Sequence, residues 1–514
     1  MFFSILYPSK TVCETALSQV SPDFFYDLNL APVVSSILRG CPGYGLEGLF
    51  FTPPKDRETI LYRQDIMKDL EDPKTRETVS SCSRAIFRLE KNREEIKKNL
   101  SSNRWYENSR LSQGRLLECA ENYCHEVERL LECLVNRKLA SKGMVSFRDY
   151  LLSYSSREGY LGIRSEMIHL RKSLSGIHYC MNISNGTIRV RNFDGQPDLT
   201  SRILSNFARF QSKQGDSRTA DRKDLFLAEH VEAAVLNLVA VQNKDAFSEL
   251  TRFSIRHLDF SDETLVRFSM EVQFFLSYFS FISPMKSAGL PFCFPQLCSS
   301  PDHFHCTNGF DIALASKILD KIVVNDFSLD YPERILVVTG PNQGGKTTYA
   351  RAFGQIHWLA SLGLCVPGNE AVLYVFDQIL THFGHQEKWE THNGRLRDDL
   401  TRLHDLLQKA SPQTLVIINE IFASATYSDG LILGRHMMDT LISQKIPSLI
   451  VTFLDELSQY GESVVSMVSQ VDSFDPCKRT FKIIRKRADG LAYALDLVRK
   501  HQLTQEQLER RIMK

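Results

Sequence analysis

One stretch, Gly340-Pro341-Asn342-Gln343-Gly344-Gly345-Lys346-Thr347, constrains this chain more than any other. A glycine, four residues and then Gly-Lys-Thr is the phosphate-loop pattern, which needs a strand before it and a helix after it. Ile335-Leu336-Val337-Val338 is apolar enough for a buried parallel strand, and Thr348 through Leu362 predicts the helix. A phosphate then rests on backbone N–H groups at a helix N-terminus, where the helix dipole favours negative charge. The glycines let the backbone come close to the phosphates. Lys346 offers a point charge to the β/γ oxygens, and Thr347 offers a hydroxyl to Mg²⁺. The competing possibility, a glycine-rich turn that binds nothing, is disfavoured because strand, loop and helix agree.

A second stretch belongs with the first. Leu415-Val416-Ile417-Ile418-Asn419-Glu420 is an apolar strand ending in polar residues, the form of a Walker B element. Phosphoryl transfer to water needs Mg²⁺ held near the β/γ phosphates and an acceptor that orients the attacking water. Glu420 suits the second task. Asn419 stands where an aspartate usually serves the metal. Its amide oxygen can still accept a hydrogen bond from metal-bound water, but it brings no charge, so metal affinity or turnover is expected to be lower.

The 514 residues allow two or more domains, and the net charge of +1 confines any nucleic-acid contact to local patches. Phe2-Phe3-Ser4-Ile5-Leu6 is too short for a leader, and the Phe274–Ile282 run is broken by serines, so a cytosolic protein without a membrane span is expected. The 12 cysteines form no CxxC pair, which favours buried thiols over disulfides. His303, His305 and Cys306 lie close together, but no second ligand pair accompanies them.

In chain order, residues 1–54 form a short mixed segment, broken by Gly40, Pro42, Gly43, Gly45 and Gly48 and closed by Pro53-Pro54. Long helices follow. Val79, Ile86, Leu89, Ile96 and Leu100 form one stripe, and Leu116, Ala120, Tyr123, Val127, Leu130 and Leu134 form another after a break near Ser101–Asn108. Ile177, Tyr179, Met181 and Ile183 alternate, Asn185-Gly186 makes a tight turn, and Ile188 and Val190 alternate after it: a β-hairpin. Beyond it lies a basic stretch with Arg189, Arg191, Arg202, Arg209, Lys213, Arg218, Arg222 and Lys223, either a surface loop or a phosphate-contacting tip. Helices resume through about Leu258 and from Asp262 to about Ser283. Pro284, Pro291 and Pro295 then mark an expected linker. From Asn308 the pattern is α/β, with strands at Ile335–Val338, Leu415–Ile418 and Ser448–Thr452 implying a mostly parallel sheet.

Thr339 through Tyr349, including Thr348, closely resembles the phosphate-loop signature of the MutS mismatch-repair ATPases. The likeness continues through Val366-Pro367, Phe376-Asp377-Gln378-Ile379-Leu380-Thr381, Asn419 through Gly430 and Arg487-Ala488-Asp489-Gly490-Leu491-Ala492-Tyr493. It is strong over 305–514 and weaker over 55–295, where Leu61-Tyr62-Arg63-Gln64-Asp65 opens a lever-like region. The resemblance implies an α/β P-loop, ABC-type ATPase domain at the C-terminus. Before it stands a mainly α-helical lever or core domain over 55–295, with the hairpin and loop of 177–223 as a reduced clamp. It further implies a dimer of two copies of this chain that binds ATP, Mg²⁺ and double-stranded DNA and works with repair-protein partners.

Carried over residue by residue, the nucleotide contacts are Gly340 through Thr348, with Asn342 near the nucleotide, and Ile322 and Val323 packed on adenine. Lys346 and Glu420 are the catalytic pair, Glu420 as base, while Thr347 and Asn419 serve Mg²⁺. Asn393-Gly394 falls where the family places the serine that reaches across the dimer, and Val451-Thr452-Phe453 where it usually has Thr-His. Phe453 cannot donate a hydrogen bond to a phosphate or water. Mismatch readers also begin with a domain carrying a Phe-x-Glu wedge. Here the lever-like pattern starts near residue 55, and Phe247-Ser248-Glu249 lies inside a predicted helix, so a short form that reads DNA structure is expected. The alternative is a nucleotide-gated protein-interaction switch with slow or no hydrolysis, favoured by Asn419, Phe453 and the near-neutral charge.

Overall fold

The computed structural model describes residues 2–10, 17–101, 105–184, 187–195, 222–384, 395–420, 422, 425–472 and 479–488, with backbone alone for 101, 105–108, 183–184, 222–230 and 395. The chain packs into two compact units. One comprises the first two residues, Asp72–Ala140 and Met144–Met270; the other comprises Phe3–Glu71, Ser141–Gly143 and Glu271–Lys514. This division does not follow the sequence-based one. Residues 3–71 and 271–295 pack with the C-terminal α/β region, so the lever-like opening around Arg63 belongs to that unit.

Among the described residues of 3–71 lie α1 (Phe24–Asp27), α2 (Leu30–Leu38), α3 (Glu47–Phe51) and α4 (Arg57–Asp69). α4 starts where the Asp56 carboxylate accepts from the Thr59 N–H at 2.7 Å, satisfying one of the free donors of the first turn.

The helical unit contains α5 (Pro73–Ser101), α6 (Trp105–Val135), α7 (Lys142–Ser155), whose first two residues pack with the other unit, α8 (Glu158–Ser175), α9 (Arg222–Gln242), α10 (Lys244–Arg256) and α11 (Glu263–Glu271). Val79, Ile86 and Ile96 of α5 are buried, as are Leu116, Ala120, Tyr123, Val127, Leu130 and Leu134 of α6. Arg93 is buried beside the α5 stripe, and its charge is paired with Glu90 and Asp259. The hairpin consists of antiparallel β1 (Tyr179–Ser184) and β2 (Thr187–Asn192), with Met181 opposite Val190. Its Asn185-Gly186 turn and most of the basic stretch, including Arg202, Arg209, Lys213 and Arg218, lie outside the described residues. Phe247 is buried within α10, as its helical spacing predicts, and is unavailable as a wedge.

The linker expected from Pro284 does not start there. Pro284 lies inside α12 (Gln273–Ser287), whose Phe274, Phe275, Tyr278, Phe279 and Ile282 are all buried. Apolar burial at this density, at roughly 1.5–3 kcal/mol per large side chain, offsets the cost of one interior proline.

The α/β region then follows: β3 (Phe292–Cys293), β4 (Gln296–Leu297), β5 (His303–Gly309), α13 (Ile312–Ala315), β6 (Asn325–Asp330), β7 (Ile335–Thr339), α14 (Lys346–Ser361), β8 (Val366–Pro367), β9 (Glu370–Leu373), β10 (Gln378–Phe383), α15 (Arg395–Lys409), β11 (Thr414–Asn419), α16 (Tyr427–Ser443), β12 (Ser448–Val451), β13 (Val464–Val471) and β14 (Arg479–Arg485). The main sheet has the order β10-β11-β12-β7-β13-β14 and is parallel except for β14. Ile335, Val337, Val416, Ile418 and Ile450 form one core with Leu403 and Leu406 of α15 and Met437, Met438 and Leu441 of α16. Ile417, on the opposite face, packs toward Gly354 of α14. Burial on both faces explains why these strands are continuous apolar runs.

Candidate nucleotide-binding site

β7 is wholly buried and lies inside the sheet, so its C-terminal end delivers the glycine loop to the rim where α14 begins. Gly340 has φ +115° and Gly345 φ +90°, both in the region that favours glycine. A Cβ on Gly344 would stand 2.3 Å from Ser469 Oγ, so this position has room for backbone only. Gly344 N donates to Pro341 O at 3.3 Å and closes the loop on itself. Asn342 and Gln343 are exposed at the tip, and Thr348 is half-buried in the first turn of α14.

Lys346 is buried, and its Nζ donates to Gly340 O at 2.8 Å and to Pro341 O at 3.1 Å. Burial lowers the ammonium below its ordinary lysine value, while the charge of Glu420 pulls it back up. A phosphate arriving beside Lys346 supplies the negative partner that this desolvated cation lacks in the loop. Thr347 Oγ1 donates to Asn419 Oδ1 at 3.1 Å, so the phosphate loop and the end of β11 share one polar contact. Glu420 follows at φ +55° with an exposed side chain, and its N–H donates to Val451 O at 2.9 Å. Its charge acts on the Lys346 ammonium, so the two side chains lie within electrostatic reach of each other.

Next along the rim, Thr452 Oγ1 accepts from Leu454 N at 3.0 Å, and Phe453 stands 47% exposed, without polar atoms. Ile322 is half-buried and Val323 partly exposed, just before β6. Asn325 Nδ2 donates to Phe481 O at 3.1 Å and Asn325 Oδ1 accepts from Ile483 N at 2.7 Å, tying β14 to this edge. That tie holds Phe481, itself at φ +58°, where a Cβ on Gly345 would meet it at 3.5 Å. Phe481 and Ser469 were not legible as site residues, because each lies more than a hundred positions beyond the loop in an ordinary strand pattern. Asn393-Gly394 and Asp489 through Tyr493 lie outside the described residues.

Among the described residues no three His, Cys, Asp or Glu side chains converge to hold a metal, and the ten described cysteines are free thiols. No described helix is long and apolar enough to cross a membrane.

A parallel α/β sheet with a glycine loop between a buried strand and a helix defines a class of phosphate-binding domains. Residues 336–500 match the sequence model of MutS domain V. The endonuclease MutS2 of Thermus thermophilus is 26% identical over 195 residues, 38% of this chain and 26% of the relative. The DNA mismatch repair protein msh3 of Aspergillus fumigatus is 30% identical over 161 residues, 31% of this chain and 14% of its own length. For the mismatch repair protein MutS of Brevibacillus brevis the figures are 30% over 178 residues, 34% and 20%. Over residues 336–500 the α/β domain is therefore similar to MutS domain V. The chain covers about a quarter or less of each of these relatives.

Proposed function

We propose that this chain is a Mg²⁺-dependent ATPase that couples its nucleotide state to engagement of double-stranded DNA, in mismatch repair or in recognition of DNA structure. The observation that carries the reading is the joint placement of Lys346, Thr347, Asn419 and Glu420 around one glycine loop at the end of β7. The residues fit a nucleoside triphosphate: a loop with room only for backbone at Gly344, a buried cation, and two oxygen-bearing side chains in contact. Backbone N–H groups and Lys346 bind the β and γ phosphates, and Ile322 and Val323 pack on the base. Mg²⁺, when bound, neutralises charge on the phosphate oxygens, with Thr347 and, through water, Asn419 on its protein side. Glu420 accepts a proton from the attacking water and orients it.

Association of two copies, each completing the other's nucleotide site through the segment around Asn393-Gly394, is part of this reading, as are an ABC-type fold, repair-protein partners and a cytosolic location. So is a division of labour between the helical unit, acting as a lever with a reduced clamp at 177–223, and the ATPase domain over 305–514. Exposed Arg189 and Arg191 on β2 support phosphate contact by the hairpin. The absence of charge at Asn419 and of a donor at Phe453 supports a second reading, a nucleotide-gated protein-interaction switch with slow hydrolysis.

Steady-state ATP hydrolysis with and without matched, mismatched and branched duplexes tests both. Turnover that DNA stimulates and that Lys346→Ala and Glu420→Ala abolish is expected. Nucleotide binding without DNA-dependent turnover favours the switch, and no difference between wild type and Lys346→Ala in ATP binding removes both.

A further inference from the structure

Ser469 lies at the far end of β13, 1% exposed, and its Oγ donates to Gly344 O at 2.7 Å. It meets the loop at two places. A Cβ on Gly340 would approach Ser469 Cβ, N and O at 3.1 Å, and one on Gly344 would stand 2.3 Å from its hydroxyl. Both ends of the loop's glycine run therefore lie against one residue. The register explains how it gets there. β13 pairs with β7 as far as Val468 opposite Thr339, and its pairing with β14 shifts register between Ser469 and Val471. Ser469 is therefore the first residue of β13 beyond its pairing with β7, still paired with Ile483 of β14, and it comes beside Gly340 at the start of the loop.

A hydroxyl on this carbonyl has a definite effect on the next amide. The peptide between Gly344 and Gly345 is planar and trans, so its C=O and N–H point in opposite directions. With the carbonyl held toward β13, the Gly345 N–H faces away from it, toward the open side of the loop. The Gly344 carbonyl has no helical role, because α14 starts at Lys346, and at φ +90° Gly345 leaves this peptide free to turn over. Ser469 restrains it.

We propose that Ser469 is a positioning residue for the nucleotide's phosphates, acting through the Gly344–Gly345 peptide. This rests on the nucleotide-binding reading of the loop and names the element that sets its phosphate affinity. Ser469→Ala removes the donor and leaves the loop's packing surface nearly unchanged. One hydrogen bond of this kind corresponds to about a tenfold change in affinity.

The test is calorimetry of the full chain with ADP, ATP·Mg²⁺ and adenosine, beside hydrolysis kinetics. Ser466→Ala is the control, because its buried hydroxyl on the same strand has no hydrogen-bond partner. Ser469→Ala is expected to weaken ADP and ATP about tenfold, to leave adenosine within twofold, and to raise KM about tenfold while kcat falls less than threefold. Ser466→Ala is expected to behave as wild type. A structural fault lowers the active fraction, and so the apparent kcat, without raising KM; that result overturns the proposal, as does an equal loss for adenosine. If wild type binds ADP and Ser469→Ala binds it equally well, the positioning role alone falls. A wild type that binds no ADP takes down the nucleotide reading with it.

Discussion

Arg351 Nε donates to the main-chain carbonyl of Asp27 at 3.0 Å, joining the phosphate-loop helix to a segment 324 residues upstream. The contact is one of a row. Thr381 Oγ1 donates to Asp27 Oδ2 at 2.6 Å, and Gln355 Nε2 donates to Leu28 O at 2.8 Å and Asp311 Oδ1 at 2.8 Å. Thr347, Arg351 and Gln355 are spaced four apart and so share one face of α14. The turn that offers a hydroxyl at its start is continuous with the turns that grip Asp27 and Leu28.

Arg351→Met keeps most of the side chain's length and loses the bond it donates to the Asp27 carbonyl. A loss of about 1–3 kcal/mol in unfolding free energy is expected. Urea denaturation checks it; a midpoint unchanged from wild type would mean that water replaces the guanidinium without cost.

Glu420→Gln keeps the shape of the side chain and removes its basicity. Hydrolysis should fall by about 10²-fold or more, with ATP affinity within a fewfold of wild type. Single-turnover kinetics beside equilibrium binding separate the two, and a variant that hydrolyses at more than a third of the wild-type rate excludes Glu420 as the base.

Asn419→Asp puts a charge on the atom that accepts from Thr347. The expected result is a fall of about 5–10-fold in the Mg²⁺ concentration giving half-maximal hydrolysis, since carboxylates bind hard cations better than amides do. A Mg²⁺ titration that superimposes on wild type would falsify the explanation of Asn419 as a weakened metal contact.

His357 sits in α14 among Phe304, Phe327, Phe353 and Phe376, with ring centroids at 5.4, 5.9, 4.9 and 5.2 Å. Burial pushes its imidazole down from 6.5 to about 3. The unfolded chain therefore binds more protons than the folded one between pH 3 and 6.5, and stability rises with pH through that window. Acidification from pH 7 to 5 should cost about 2 kcal/mol through this group alone. His357→Phe should flatten that part of the pH profile in chemical denaturation. An equal slope in the variant assigns the acid sensitivity elsewhere.

The loop, its flanking strand and helix, the Asn419-Glu420 strand end and the two helical stripes could all be read from the sequence, because each is a local pattern at period two, at 3.6, or at the phosphate-loop spacing. What escaped was long-range. Nothing in Ser466-Met467-Val468-Ser469 distinguishes one serine from the other, and only the pairing of β13 with β7, ending at Val468 opposite Thr339, puts Ser469 under the loop. Asp27 carries no motif either, and its role comes from Thr381 and Arg351, both more than 300 residues away. Pro284 misled in the opposite direction. A proline is a local stop signal, and here the buried aromatic face of α12 overrides it.

Trp358, wholly shielded in the last turns of α14, donates to the carbonyl of Phe50 at 3.2 Å and meets Phe25 edge-on at 5.5 Å. Recombinant expression therefore faces a practical constraint. A fragment trimmed to the motif-bearing half, starting near residue 305, would strip that indole and the neighbouring Gln355 of their lining and leave an adhesive apolar scar on α14. Such a fragment should clump, and a preparation of it that binds no nucleotide would say nothing about the full chain, whose N-terminal residues serve as internal scaffolding.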